Sequence, residues 1–170
     1  MKTLFFIFFS TLIYGQNQHL TAIDFDYLNY TRQEIENAYS AHSGFWILKD
    51  EPGLIIYQGG DCFINWPLQT TQYFFDDNDS LYQILLTLAD TTINEAFLFP
   101  EVLMTFRNWF GDELDYNESE EGTRTYYWYF GEEMQEAEAM MSVSKNFNTR
   151  SVTQITQVNL RRMKEINNNN

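Results

Sequence analysis

The sequence predicts an α+β domain in which three helices pack against an antiparallel sheet of about five to seven strands, with a β-meander at the C-terminal end. Three observations lead to this fold class. Apolar residues recur at helical spacing in some segments, they alternate with polar residues in others, and clusters of Gly, Pro and Asp separate the two kinds of segment. Residues 16–166 are long enough to bury one core. Residues 167–170, all Asn, are predicted to be a disordered tail.

Residues 1–15 have the pattern of a cleavable secretory signal peptide. Lys2 gives a positive start, residues 4–13 (LFFIFFSTLI) form an apolar run, and Gly15 is a small residue before the predicted cut. The run is shorter than the roughly 20 residues that a membrane-spanning helix needs. The alternative is an N-terminal strand or helix buried in the core. No later segment is apolar enough to serve as an anchor, so we expect a secreted or periplasmic protein.

The first predicted helix begins at a capping box. Thr31 and Glu34 have the spacing at which each side chain accepts a hydrogen bond from the other residue's backbone N–H. One apolar face follows at i, i+3, i+4 and i+7, formed by Ile35, Ala38, Tyr39 and His42. Gly44 suits the C-terminal end of this helix.

Residues 45–75 change to the period of strands. Residues 45–49 and 54–58 flank the turn sequence DEPG, which predicts a hairpin whose second strand is apolar on both faces and therefore central. Residues 62–66 alternate as a third strand that Pro67 ends or places at an edge. Residues 72–75 can add a fourth.

Two further helices are predicted in the middle of the chain. Residues 76–79, which include three acids, lead into a helical face that consists of Leu81, Ile84, Leu85 and Leu88. The acids would interact favourably with the N-terminus of this helix. The third helix is predicted to begin near Pro100, since the first turn tolerates the missing N–H, and to close at Gly111.

The C-terminal part predicts the β-meander. Residues 112–121 (DELDYNESEE) carry six acids in ten and are predicted to be an exposed loop. Strands are predicted at 123–130, within 131–143 and at 152–160, although Glu, Met, Gln and Ala also leave a helix open for 131–143. The basic residues at 161, 162 and 164 are predicted to be a strand end.

The charge and the motifs exclude several classes of function. The net charge is −14, and residues 76–145 carry sixteen acids against three bases, which disfavours nucleic acid and anionic membrane surfaces as partners. The single Cys62 permits no intrachain disulfide, which favours a bacterial cell envelope over a eukaryotic secretory route. No zinc, serine-hydrolase or EF-hand motif occurs, so no metal, cofactor or catalytic residue is assigned. Loose calcium binding by residues 76–79 or 112–121 stays open.

The aromatic content carries the functional hypothesis. Tyr127 and Tyr129 share one face of a predicted strand, and exposed neighbouring tyrosines form a flat platform for a sugar or a protein. Trp46 and Trp66 are the other candidate ligand-binding residues. We therefore expect a non-enzymatic binding module for a protein or a glycan. The alternative is a small extracellular hydrolase that uses paired carboxylates such as Asp61 and Glu132.

Overall fold

The computed structural model describes residues 28–40, 44–59, 62–64, 66–89, 95–131, 137–149 and 152–169. The predicted signal peptide lies outside the described residues. Within them the elements follow the order α1 (Arg32–Ser40), β1 (Phe45–Glu51), β2 (Leu54–Gly59), β3 (Cys62–Phe63), β4 (Trp66–Phe75), β5 (Leu81–Leu88), α2 (Glu95–Phe110), β6 (Asp115–Glu118), β7 (Thr123–Phe130), β8 (Ala139–Asn146), β9 (Gln154–Asn159) and α3 (Leu160–Asn169).

All nine strands of the described chain join one antiparallel sheet. Its main path runs β1-β2-β4-β5-β9-β8-β7-β6, and the short β3 pairs with β4 beside this path. Strand β9 therefore lies in the middle, between β5 of the first half of the chain and β8 of the second. Strands β1 and β6 form the two edges.

The two faces of this sheet differ in burial. The term core face is used for the side that carries the buried residues Ile55, Tyr57, Tyr73, Ile84, Leu86, Ile155, Val143, Met141 and Trp128. The opposite side, whose residues are mostly half-buried, is called the open face. One buried and one solvated face is the usual arrangement of an antiparallel sheet.

Helices α1 and α2 both pack on the core face. Tyr39 of α1 stacks on Tyr57, with ring centroids 3.8 Å apart, and its hydroxyl shares a hydrogen bond of 3.0 Å with that of Tyr73. Phe106 of α2 contacts Trp128, with centroids 5.5 Å apart. Each half of the sheet thus has its own helix. Helix α3 contacts β5, β8 and β9, and no helix of the described chain has the length and apolar character that crossing a bilayer requires.

The predicted fold class, α+β with an antiparallel sheet and a C-terminal meander, is confirmed. The capping box at Thr31 and Glu34 is present, with the backbone N–H of Thr31 donating to the Glu34 carboxylate at 2.7 Å. The β1–β2 hairpin is also present, and β2 lies between two strands with one face buried and one half-buried. Residues 139–146 form a strand, which settles the described part of 131–143 in favour of the strand interpretation.

The helix predicted over residues 81–88 is wrong, because this segment is strand β5. Its apolar residues lie on both faces of the strand, and such a run satisfies the helical and the extended period alike. The preceding acids do not cap a helix. The Asp76 carboxylate instead accepts hydrogen bonds from the backbone N–H groups of Asn78 and Ser80, both at 2.9 Å, and shapes the β4–β5 turn.

The single strand predicted over residues 62–66 is split in two. Ile64 has a φ of 62°, in the left-handed region, and this turn separates β3 from β4. Pro67 is the second residue of β4, near a strand start where a missing N–H is tolerated. The strand then continues through residues 72–75, so these belong to β4 and add no strand of their own.

Helix α2 begins at Glu95, earlier than predicted, with Pro100 inside it. The hydrogen bond that Pro100 cannot donate would end on the carbonyl of residue 96, in the first turn, so the helix keeps its later bonds. Strand β6 lies within the acidic segment predicted to be loop, and its four side chains are exposed as predicted. The strand count of nine exceeds the predicted five to seven because β5 was predicted as a helix and β6 as a loop.

The C-terminal segment forms helix α3, where a strand end and then a disordered tail were predicted. The Asn159 side-chain oxygen accepts a hydrogen bond of 3.0 Å from the backbone N–H of Arg162, which is the bond of a helix N-cap. The helix extends through residues 167–169. An N-cap directly after an apolar strand is therefore the signal for this helix.

Candidate binding surface

The open face consists of residues that the strand register aligns in rows across the sheet. Its interior strands contribute Leu54, Ile56, Gln58, Thr70, Gln72, Phe74, Gln83, Leu85, Thr87, Gln154, Thr156, Val158, Met140, Ser142, Ser144, Thr123, Thr125, Tyr127 and Tyr129. Most of these side chains are half-buried, so they contact their neighbours and solvent together. Hydroxyl and amide groups dominate the surface.

None of the residues just named, which form the interior of the open face, is charged. Among the described strand residues, charges on this face occur at its two edges, where Lys49 and Glu51 of β1 form an ion pair of 2.9 Å and Asp115 belongs to β6. In a chain of net charge −14 this surface is exceptional. It offers uncharged hydrogen-bond donors and acceptors. Each hydroxyl can donate and accept, and each amide carries one donor group and one acceptor group.

Tyr127 and Tyr129 lie together on the open face, as the sequence predicts. Their rings are nearly parallel, at 15°, with centroids 6.3 Å apart. Burial, followed by the nearby charge of Asp115, raises the pKa of Tyr129 above its ordinary value, so its hydroxyl stays protonated at neutral pH. Tyr127 is the cross-strand neighbour of the buried Ser142, which in turn pairs with the half-buried Thr156. The aromatic pair thus adjoins a row of hydroxyl groups.

The two tryptophans are not part of this cluster. Trp46 lies on the open face and is 63% exposed, but it belongs to β1, six strand spacings or about 29 Å from β7. Trp66 is 7% exposed and packs against Phe63 on the core side, and its indole N–H donates to Glu101 at 3.2 Å. Trp66 therefore belongs to the core and not to a binding surface.

Three acids of the two segments considered for calcium are engaged with protein groups. Asp76 binds the backbone of its turn and Arg162, and Glu113 forms two hydrogen bonds of 2.6 and 2.7 Å with Arg107. Glu118 accepts a hydrogen bond from Tyr116 at 2.6 Å. The part of the chain that the structure describes has no group of three or more His, Cys, Asp or Glu side chains suited to a metal ion. Asp61 and Glu132, the carboxylates of the hydrolase alternative, lie outside the described residues.

Sequence reasoning missed the polar rows that surround the tyrosine pair. A signal for them exists in β4 and β9, where Thr70, Gln72, Gln154 and Thr156 occupy every second position. Assigning these positions to one surface requires the strand order, and β9 pairs with β5 about seventy residues earlier in the chain. No family model, curated protein or solved structure matches this chain.

Proposed function

We propose that the protein is a non-enzymatic binding module that recognises a neutral glycan on its open face. The observation that carries the proposal is the stacked pair of Tyr127 and Tyr129 beside uncharged hydroxyl and amide rows. The predicted signal peptide supports an activity outside the cytoplasmic membrane, in a secreted or periplasmic protein.

Sugars and this surface are chemically complementary. The C–H side of a pyranose ring packs on an aromatic ring, and its hydroxyl groups exchange hydrogen bonds with Ser, Thr and Gln side chains. An acidic glycan or a nucleic acid would instead need fixed positive charge, which the interior of the open face does not supply. A tyrosine pair also loses little side-chain entropy on binding.

The proposal is tested by isothermal titration of the purified protein with neutral oligosaccharides, among them glucans, chitooligosaccharides and neutral peptidoglycan fragments. We expect at least one to bind, and the double variant Tyr127→Ala with Tyr129→Ala to raise its Kd by about tenfold or more. Because no ion pair forms, raising the NaCl concentration should change the Kd little.

The matched control is Tyr116→Ala, which removes an exposed tyrosine that lies across from Tyr126, on the core side of the edge strand. It should leave the Kd unchanged. Absence of binding across the neutral panel, or equal binding by the double variant and the wild type, would contradict the proposal.

A further inference from the structure

The edge strand β1 exposes three consecutive large apolar residues. Trp46, Ile47 and Leu48 are 63%, 57% and 55% exposed. Strand β1 pairs with β2 on one side, and no described strand pairs with its other side. An edge with open backbone groups and apolar side chains is a template for a further strand, which soluble proteins ordinarily blunt with charge.

The opposite edge is blunted in that way. Strand β6 carries Asp115 and Glu118, and acidic residues also flank it on both sides. Near β1, Asp50 and Glu36 share the guanidinium of Arg32, and Lys49 pairs with Glu51. Seven strand spacings, about 34 Å, separate the two edges, whereas the Debye length at physiological salt is about 8 Å.

This charge distribution favours a second copy of the chain as the partner that pairs with β1. Two acidic molecules that meet through β1 keep their acidic edges at opposite ends of the assembly. An antiparallel pairing with the two-fold axis between Ile47 and Leu48 places Ile47 against Leu48 of the second copy. It also places Trp46 against Lys49 of the second copy, a cation–π arrangement, and brings no two acids together.

A bulge in β1 lies at this contact. The register with β2 shifts between Ile47 and Lys49, so Leu48 has no cross-strand neighbour in β2. We propose that two copies pair antiparallel through β1, so that the eight-strand path of each continues into the other. The axis of such a pairing is perpendicular to the sheet, so the open faces of both copies lie on the same side.

The test is sedimentation velocity of the purified protein over roughly 2 to 200 µM, since a contact through one strand buries less than a standard interface and predicts a micromolar Kd. We expect a concentration-dependent dimer and a Kd at least tenfold higher for Ile47→Lys. The control Leu114→Lys makes the same change of type and charge at a side chain that is 56% exposed beside β6.

Three results would overturn the proposal: a monomer at the highest concentration in 0.5 M NaCl, where the Debye length is about 4 Å; a dimer that Ile47→Lys leaves intact; or an equal effect of both variants. Circular dichroism of each variant shows whether the sheet is retained. The glycan titration does not depend on the outcome, because Trp46 is about 29 Å from the tyrosine pair.

Discussion

Gln157 lies in the middle of the core face with a side chain that is 1% exposed. Its cross-strand neighbours are Ile84 and Met141, both buried and apolar. Neither its amide oxygen nor its amide nitrogen has a hydrogen-bond partner in the described protein. A buried amide without partners costs about 1–3 kcal/mol, because it loses its hydrogen bonds to water on folding.

We therefore expect Gln157→Met to raise the free energy of unfolding by about 1–2 kcal/mol, since methionine has a similar shape and buries no polar atom. Thermal unfolding would show this as an increase in Tm of about 2–4 °C per kcal/mol. The control is Gln154→Met, the same change in the same strand on the half-buried open face, where little effect is expected. A loss of stability in Gln157→Met would show that the amide is satisfied in solution.

At the scale of elements, the β4–β5 turn is tied to helix α3 by one carboxylate. Asp76 accepts hydrogen bonds from the backbone of Asn78 and Ser80 and from the Arg162 guanidinium at 2.9 Å. Burial acts to raise the pKa of Asp76, but the hydrogen bonds from Ser80, Arg162 and Asn78 outweigh it and hold the pKa below its ordinary value. The ionised form is thus the one that the fold stabilises.

We expect Asp76→Asn to lower the free energy of unfolding by about 1–2 kcal/mol at neutral pH, because a charge-assisted hydrogen bond is lost. A lowered folded-state pKa adds stability above the unfolded-state pKa of about 4, and this stability disappears as the pH falls through the folded-state value. The difference between the wild type and Asp76→Asn should therefore shrink below about pH 4 in urea titrations.

Asp77→Asn is the control, because it removes the same charge from the same turn, and in the described structure the Arg162 guanidinium donates to Asp76 and not to Asp77. A loss of unfolding free energy in Asp76→Asn that is independent of pH would contradict this role of the carboxylate. An equal loss in Asp77→Asn would contradict it as well.

The sequence predicts the local features of this fold better than the features that depend on strand pairing. The first helix is predictable because a capping box is a local signal in which Thr31 and Glu34 lie three residues apart. Strand β5 is not, because its leucines satisfy both periods and only its pairing with β4 and β9 decides between them. The tyrosine pair follows from alternation within one strand, whereas its hydroxyl neighbours come from β8 and β9 and depend on tertiary pairing.

At the scale of the whole molecule, the net charge of −14 opposes the compact state through self-repulsion. Salt also weakens ion pairs, but pairs such as Arg124–Glu118 and Arg161–Glu165 are exposed and contribute little to stability. Screening of the repulsion should therefore dominate the response to salt.

We expect the Tm at neutral pH to rise by a few degrees when NaCl increases from about 0.01 M to about 0.1 M, which shortens the Debye length from about 30 to about 10 Å. Near pH 4, where carboxylates begin to take up protons, the same salt increase should have a smaller effect. A Tm that falls with salt at neutral pH would mean that the ion pairs outweigh the repulsion.

The central position of β9 has a consequence for the order in which the molecule can be completed. The ribosome makes β1 to β5 and then β6 to β8, two half-sheets that share no strand pairing with each other. Until residues 154–159 follow, β5 and β8 are both unpaired along the sides that meet in the finished sheet. Bringing β9 to β5 also closes a loop of about seventy residues, a slow step for a non-local pairing. The last strand of the described chain to be synthesised is thus the one that joins the two halves, and the described sheet stays incomplete until β9 has been made.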